Sequence, residues 1–510
     1  MSDSANKRIA HNTVLLYIRM IVVLAISLYT SRLVLAILGV EDYGLYNVVG
    51  SIVTMFMFLR SAMGNATNRY IAFSLGKDDE QEQNRVFSTC INVHLILAII
   101  IIVLCEVVGL WLFYNKLVIP SERVSAAFWV FQFSILTCAL GIICVPYDAV
   151  IIAHEKMGAF AFMSLFDVIM KLAAVLVLKY LTYDKLISYA FFLLLIQFIN
   201  RIIYSVYCRH TFIEAHYKAY WDGNKVREIF SFAGWNIIGN MASIGCTPVL
   251  NILLNMFFGP VVNAARGIAV QVQSAANSFV SNFQLAITPQ ITKSYAIGDI
   301  KRVRLLVTSG SKLTFFLFLC IAVPVSFEAE SLLSIWLVEV PEHTVTFLRI
   351  VLAVLMLESW QQILHVTNLA TGQIRKFQII KGLSLMSMIP ISYLVLALGA
   401  KAEIVFIVQF IVTFISLLIQ LLLIRPLIEL SLSVYVKEVF MRPMLVLLFS
   451  IPLPLLLHIL IPTSGIFPLL VVCVIDVISA LIISYLVGMN ESERSMVKAF
   501  ITPLVSKLTR

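Results

Sequence analysis

The chain has 510 residues, of which 60% are hydrophobic and 13% are charged. An ordinary soluble domain has roughly 45 to 50% apolar and about 25% charged residues, so the composition excludes a cytosolic enzyme. The formal net charge of +9 does not indicate nucleic-acid binding, because Lys and Arg are scattered through short loops. The apolar runs have the length of spanning helices, which predicts an all-α polytopic membrane protein and excludes an outer-membrane barrel.

Apolar runs between charged or turn-rich breaks predict about 14 transmembrane helices. In chain order, spans one and two begin near residues 12 and 43, and spans seven and eight near residues 229 and 260. With the N-terminus in the cytoplasm, inside loops hold about 25 of the basic residues and outside loops about 5. An even number of spans then places both termini in the cytoplasm. Span one is longer than a signal-peptide core, so we expect it to be retained.

The two halves of the chain are similar at an offset of about 220 residues, which indicates a parallel repeat. Residues 39–76 and 259–298 each begin with an apolar residue before Gly, run through one span and close with an aromatic residue, Gly and Asp. We therefore predict a six-helix bundle at 1–215 and its repeat at 225–430. Two additional transmembrane helices at 431–490 and a cytoplasmic tail at 491–510 follow.

Motifs of nucleotide or hydrolytic chemistry are absent from the sequence. There is no phosphate loop, no H-E-x-x-H and no G-x-S-x-G. The 8 cysteines and 8 histidines show no metal-ligand spacing, so neither a metal site nor a cofactor is predicted. No loop is long enough for a soluble catalytic domain, and the sequence therefore favours a transporter over an enzyme.

The most informative intramembrane charge is Arg266 in span eight, because a buried arginine is costly unless it meets a partner or water. Gln273, Asn277 and Gln284 follow it at spacings of 7, 11 and 18 residues. Each of them therefore points within about 20° of the direction of Arg266, so the four side chains share one helix face. This polar face is predicted to line a hydrated path. Hydrogen bonding between helices is the alternative interpretation.

Polar residues also form single stripes in three other spans. The stripes are Asn12, Arg19 and Thr30 in span one; Asn47, Ser51, Thr54, Ser61 and Asn65 in span two; and Asn236, Asn240, Ser243 and Thr247 in span seven. Spans three, twelve and thirteen are, in contrast, nearly pure Leu, Ile, Val and Phe. Spans one, two, seven and eight are therefore predicted to line a central cavity.

Further charges lie within or at the ends of spans. Arg60, at the inner end of span two, either guards the cytoplasmic mouth of the cavity or anchors a loop. Intramembrane carboxylates often serve ion coupling. The possible coupling residues are Asp148, Asp167 and Glu358, with Glu106 and Asp476 as further candidates. For Lys171, Lys312 and Arg349 we prefer a structural interpretation, in which each pairs between helices with Asp167, Glu358 or Asp148.

Three stretches of the chain carry a resemblance to a known family. They are RLVLAILGVEDYGLY at 32–46, MGNATNRY at 63–70, and NMFFGPVVNAARGIA at 255–269, continued by PQITKSY at 289–295. Together they resemble bacterial polysaccharide transporters of the O-antigen flippase type, within the multidrug/oligosaccharidyl-lipid/polysaccharide exporter superfamily. The similarity covers essentially the whole chain and is most specific between 255 and 295.

The resemblance implies two six-helix bundles in a MATE-like V shape around a cavity. It also implies a substrate, an undecaprenyl-diphosphate-linked oligosaccharide that moves from the cytoplasmic to the periplasmic leaflet of the bacterial inner membrane. By their spans alone, Arg19, Arg60 and Arg266 correspond to arginines that related flippases are thought to use. Guanidinium groups bind phosphate oxygens bidentately, and Asn and Gln suit sugar hydroxyls.

The resemblance also bears on partners and on rival functions. Membrane lipids, a coupling ion such as H⁺ or Na⁺, and a polysaccharide polymerase or glycosyltransferases are implied by analogy. A cation-coupled multidrug antiporter of the same superfamily is the alternative, although cationic drugs favour carboxylates where this chain has arginines. A membrane-embedded polymerase or ligase would need a large periplasmic loop, which the sequence lacks.

Overall fold

The computed structural model describes residues 2–75, 79–154, 156–371, 373–461, 465–491 and 493–494. Within these ranges the description leaves out the side chains of 2–18, 231–240, 242–244 and 279–286, and of a few single residues, among them Asn65. The described residues form helices and no strands, which confirms the predicted all-helical fold class.

The helices of the first half include one long element that contains a kink. In chain order they are α1 (Ser2–Thr54), α2 (Met57–Leu75), α3 (Glu80–Leu104), α4 (Leu110–Asn115), α5 (Val124–Ala153), α6 (Met157–Leu178), α7 (Lys185–Thr211) and α8 (Gly223–Phe258). A π-helical segment, Cys105–Gly109, joins α3 to α4, and short 3₁₀ turns occupy Ser121–Arg123 and Ile213–Ala215.

The second half continues with helices of more varied length. They are α9 (Pro260–Ala296), α10 (Ile300–Phe327), α11 (Ala329–Trp336), α12 (Thr344–Thr371), α13 (Ile374–Met386), α14 (Met388–Ala397), α15 (Glu403–Ile424), α16 (Leu432–Tyr435), α17 (Arg442–Ser450), α18 (Pro452–Leu460) and α19 (Ile466–Ile483). Two further π-helical segments, Val436–Met441 and Ser484–Gly488, lie near the C-terminal end.

Aspartates fix where several helices begin. Asp79, Asp184 and Asp222 each accept hydrogen bonds from two backbone N–H groups in the first turn of α3, α7 and α8, and Asp299 accepts one at the start of α10. A side-chain oxygen at this position satisfies donors that have no partner within the helix. Local sequence therefore sets these four helix starts.

Two glycines at the predicted offset share an unusual backbone conformation. Gly39 kinks α1 at φ 79° and ψ 170°, and Gly259 separates α8 from α9 at φ 77° and ψ −171°. This region of φ and ψ is essentially restricted to glycine, because a Cβ atom would clash with the backbone. The shared geometry supports the interpretation of 39–76 and 259–298 as repeats, and the duplication itself stays a prediction.

Replacing Gly39 or Gly259 by alanine is expected to lower the free energy of unfolding by about 1 to 3 kcal/mol each, because both backbones are strained for other residues. Thermal denaturation in detergent would measure the loss. Gly158→Ala is the matched control, since an added Cβ there meets no atom within 4 Å and φ is not positive. Equal stability of all three variants would contradict the prediction.

Eleven helices among the described residues are long and apolar enough to cross a membrane, and the chain is a multi-pass membrane protein. The predicted count of fourteen remains a prediction that is compatible with this number. Three predicted spans are not counted separately: span two follows the kink in α1, and spans seven and eight correspond to α8 and α9. In α8 the apolar stretch with described side chains is the shorter Gly245–Phe258.

The contacts divide the chain into two compact units. The first contains the described residues of Met1–Gly267, Leu337–Glu342 and Ile389–Ala402, and the second those of Ile268–Trp336, His343–Met388 and Glu403–Arg510. Each unit has its own hydrophobic core, around Phe87 and Phe131 in the first and around Phe315 and Trp360 in the second. The predicted boundaries of 1–215, 225–430, 431–490 and 491–510 stay predictions.

A buried ion-pair network holds the C-terminal helices within the second unit. Lys312 of α10 is 1% exposed, and its Nζ lies 3.1 Å from Glu438 Oε2 and 2.8 Å from Glu493 Oε2. Arg442 also pairs with Glu438, at 3.0 Å. The prediction that Lys312 pairs with Glu358, Asp167 or Asp148 was wrong, because spacing along the chain does not show which helices face each other.

The other two predicted structural pairs had different outcomes. Lys171 Nζ lies 2.7 Å from Asp167 Oδ2, so this pair forms, but within α6 and not between two helices as predicted. The predicted carboxylate partner of Arg349 was wrong, since its Nε donates at 2.9 Å to the carbonyl oxygen of Ser326. A backbone carbonyl at a helix end satisfies an arginine as well as a carboxylate does, and the sequence does not distinguish them.

Candidate functional site

The first unit contains two cavities, cavity A between α1, α2, α5 and α7, and cavity B between α2 and α5. Cavity A has a volume of about 270 Å³, and its polar lining consists of Tyr46, Thr54, Arg60, Ser134, Thr137 and Gln197. Cavity B has a volume of about 430 Å³, and its polar lining consists of Arg60, Ser61, Asn68 and Asp148. The cavities adjoin, because Met57 and Arg60 line both.

Arg60 is the cation at the junction of the two cavities. A Cβ atom added to Gly141 would lie 3.8 Å from Arg60 Nη1 and 3.6 Å from Gln197 Nε2, so α5 passes close to both side chains. Within the described part of the chain, no carboxylate forms an ion pair with Arg60. Its guanidinium therefore has donors to offer an anionic group that enters either cavity.

The residues that line the cavities recur at helical spacing. Ser134, Thr137, Gly141 and Asp148 of α5 are separated by 3, 4 and 7 positions, which places them on one face of that helix. This spacing is visible in the sequence, although Ser134, Thr137 and Gly141 were not among the predicted site residues. Gln197 of α7 is followed by Asn200, Arg201 and Tyr204 at i+3, i+4 and i+7, so it also belongs to a polar face that the sequence shows.

Two more arginines of the first unit lie against aromatic rings near these cavities. The Cζ atom of Arg19 is 4.5 Å from the ring centroid of Phe160, and that of Arg201 is 4.4 Å from the centroid of Tyr147. Buried Nε of Arg19 and Nη1 of Arg201 have no hydrogen-bond partner among the described residues. Arg201 was not among the predicted site residues.

Tyr204 of α7 lies close to both Arg19 and Asp148, the carboxylate that lines cavity B. It interacts electrostatically with Arg19 and with Asp148, and Asp148 interacts in the same way with Arg60. The structure thus brings the predicted residues Arg19, Arg60 and Asp148 into one region of the first unit. Tyr204 also interacts with Asp167, which pairs with Lys171, so the three arginines outnumber the one remaining carboxylate, Asp148, and the region has a net positive formal charge.

Arg266 lies in a different, buried polar cluster of the first unit. It is 2% exposed, and its Nη2 donates at 3.1 Å to the carbonyl oxygen of Thr247 in α8. Nearby, Asn263 donates to Asn251 Oδ1 at 2.8 Å, and Asn251 donates to Ser51 Oγ at 2.6 Å. These bonds join α1, α8 and α9. They agree with the alternative interpretation of the polar face, in which its side chains form hydrogen bonds between helices. The role of Arg266 in substrate binding stays a prediction.

The other predicted polar residues are placed as follows. Thr54 is exposed and lines cavity A, while Asn47 donates at 2.8 Å to the carbonyl oxygen of Tyr43 within α1. In the second unit, Gln273 is half-buried and Asn277 is exposed. The predicted side chains that lie outside the described residues are those of Asn65, Asn236, Asn240 and Gln284.

The three possible coupling carboxylates occupy distinct surroundings. Asp148 lines cavity B. Asp167 is held by Lys171 and by Asn200 Nδ2, which donates to it at 2.7 Å. Glu358 of the second unit interacts electrostatically with Lys381. Asp148 is therefore the one of the three that lines a described cavity.

Comparison with known proteins identifies the fold. No family model matches the chain, and no curated protein matches it. Among solved structures, the chain is similar to an inward-facing multidrug resistance MATE family transporter of the MOP superfamily, with a TM-score of 0.64 and 13% identity over 81% of this chain and 99% of that one. The fold of this chain is therefore that of MATE family transporters.

Two further solved structures illustrate the same fold. An outward-facing MATE family multidrug resistance transporter gives a TM-score of 0.60 at 13% identity, over 84% of this chain and 96% of that one. A MOP superfamily transporter from Pyrococcus furiosus, whose binding pocket is described as having reverse polarity, gives 0.61 at 13% identity, over 82% and 95%. At these identities the similarity concerns the fold alone.

Proposed function

We propose that this chain is a flippase that moves an undecaprenyl-diphosphate-linked oligosaccharide from the cytoplasmic to the periplasmic leaflet by alternating access. The observation that carries the proposal is Arg60, which lines both cavities and has no ion-pair partner in the described part of the chain. A diphosphate requires cationic donors, and a guanidinium binds phosphate oxygens in a planar fork. The protein is on this view a transporter and not an enzyme.

The remaining polar lining suits the sugar part of the substrate. Ser134, Thr137 and Gln197 of cavity A and Asn68 of cavity B carry hydroxyl and amide groups, which both donate and accept hydrogen bonds. The polyprenyl tail needs no pocket of its own, because it remains in lipid while the head group passes. We further propose Arg19 and Arg266 as cationic residues of the path, together with the polar stripes of spans two, seven and eight.

Localisation and partners follow from the same proposal. The chain would lie in the bacterial inner membrane with both termini in the cytoplasm, because its basic residues are concentrated on that side. A polysaccharide polymerase or glycosyltransferases would supply or consume its substrate. Coupling to H⁺ or Na⁺ through Asp148, Asp167 or Glu358 would drive the alternating access.

A cation-coupled multidrug antiporter is the second candidate function, and Asp148 is the observation that favours it. A carboxylate that lines a cavity attracts organic cations and can exchange a proton. The solved structures of the same fold include multidrug resistance transporters. Asp148 and Arg60 line the same cavity, so their charges predict opposite substrate classes.

Reconstituted protein should distinguish the two functions. With lipid-linked oligosaccharide on the inner leaflet of liposomes, we expect wild-type protein to expose the sugar to an external lectin. Efflux of an organic cation driven by a proton gradient should stay at the level of protein-free liposomes. Asp148→Asn serves as the matched variant, because it removes the carboxylate of cavity B and keeps the size of the side chain. Cation efflux that Asp148→Asn abolishes, without any lectin signal, would favour the antiporter.

A further inference from the structure

The carboxyl group of Asp476 is buried without a hydrogen-bond partner. Asp476 lies in the middle of α19, within an apolar helix long enough to cross a membrane. Its side chain is 1% exposed, and neither Oδ1 nor Oδ2 has a hydrogen-bond partner among the described residues. An ionised carboxylate in such surroundings costs several kcal/mol unless it is paired, so a buried group of this kind neutralises instead.

A second carboxyl group faces Asp476 from the end of α10. Glu328 is 0% exposed and close enough to Asp476 for the two groups to interact electrostatically. Glu328 Oε1 lies 2.8 Å from Nδ1 of His458 in α18, whose side chain is 44% exposed. The three groups therefore form a series from the half-exposed imidazole through buried Glu328 to buried Asp476, all in the second unit.

The other charges on the helices packed against α19 do not neutralise Asp476. These neighbours are α10, α11, α17, α18 and the π-helical segment Ser484–Gly488. Lys312 of α10 and Arg442 of α17 both pair with Glu438, and Glu330 of α11 is exposed. On α19 itself, Cys473 interacts electrostatically with both Asp476 and Glu328. A negative charge on Asp476 would thus lie near a second carboxyl group, Glu328, and neither oxygen of Asp476 has a hydrogen-bond partner among the described residues.

We infer that Asp476, Glu328 and His458 form a proton-binding site in which Asp476 holds the proton and the His458–Glu328 pair is its route of exchange. Chains of Asp, Glu and His within membrane proteins act as proton relays. The described residues contain no group of three or more His, Cys, Asp or Glu side chains that would hold a metal ion. A proton, in contrast, needs only one oxygen of Asp476. The site is independent of which substrate the chain transports.

Infrared spectroscopy of the purified protein in lipid tests this site without a transport assay, because a protonated carboxyl group has a C=O stretching band that a carboxylate lacks. We expect wild-type protein to show such a band at neutral pH, Asp476→Asn to lose it, and Asp476→Glu to shift it. Asp167→Asn is the control and should leave the band unchanged, since Asp167 is paired with Lys171 at 2.7 Å. A spectrum that Asp476→Asn does not change would overturn the proposal.

Transfer into D₂O tests the exchange route. The band moves to lower frequency when the carboxyl proton is replaced by deuterium, and we expect His458→Phe to slow this shift severalfold. Glu328→Gln should slow it as well, because the amide cannot relay the proton. An unchanged rate of exchange in both variants would overturn the assigned route, even if Asp476 itself proved to be protonated.

Discussion

Replacing Arg60 by glutamine is expected to slow the flipping of a diphosphate-linked substrate by about 10- to 150-fold, because one charge-assisted hydrogen bond contributes roughly 1.5 to 3 kcal/mol. Arg60 lines both cavities, so we expect it to contact the head group of the substrate in cavity A and in cavity B alike. Initial rates of lectin-accessible sugar in proteoliposomes would measure the effect. Arg60→Lys should retain part of the activity, since it keeps the charge and loses the planar fork.

A surface arginine provides the control for this result. Arg85 lies over the ring of Tyr220, at 5.3 Å from its centroid, and lines neither cavity. Arg85→Gln should therefore flip the substrate at the wild-type rate. Equal rates for wild-type protein and Arg60→Gln would show that the charge at the cavity junction does not bind the diphosphate.

Replacing Lys312 by methionine is expected to lower the free energy of unfolding by about 3 to 5 kcal/mol, because it leaves the buried carboxylate of Glu493 without its cation, while Glu438 keeps Arg442. Both partners lose an ion pair at once, and Glu493 is only 4% exposed. Thermal denaturation in detergent would measure the loss. Additional Glu493→Gln should recover part of it, because the amide carries no charge to bury.

The pair of Lys171 and Asp167 is the matched control for a structural salt bridge. Its N–O distance of 2.7 Å is as short as those of the Lys312 network, but the Lys171 side chain is 42% exposed. Asp167 also accepts a hydrogen bond from Asn200 at 2.7 Å, and Lys171→Met leaves that bond in place, so its loss of stability should be smaller than that of Lys312→Met. Similar losses in the two variants would contradict the assignment of Lys312 to a buried network.

Local features of the fold were predictable from the sequence. Spans one, two, seven and eight were predicted to carry polar stripes, and two of the predicted stripe residues, Thr54 and Ser61, line the cavities. The offset that pairs residue 39 with residue 259 also coincides with two glycines of nearly identical φ. The spacing of polar residues and the positions of helix-breaking glycines depend on residues that are close in the chain, so both can be read from a single sequence.

The candidate site was predictable only in part. Arg60, Thr54 and Asp148 were predicted residues, and the structure places them on the two cavities. Arg201 and Gln197 were missed, because their importance depends on which helix faces α5. Arg266 was predicted to line a cavity, but its guanidinium donates to a carbonyl oxygen of α8. The sequence does not distinguish these outcomes, because the polar groups of a helix face can be satisfied either by water or by a neighbouring helix.

The sequence by itself determined the all-helical membrane class, the helix starts at Asp79, Asp184 and Asp222, and the helices that carry polar faces. These features depend on composition and on neighbours along the chain. Only the tertiary structure decided that Lys312 pairs with Glu438 and Glu493, and that Glu328 and His458 accompany Asp476. Such partners are far apart in sequence, and the rotation and register of packed helices bring them together.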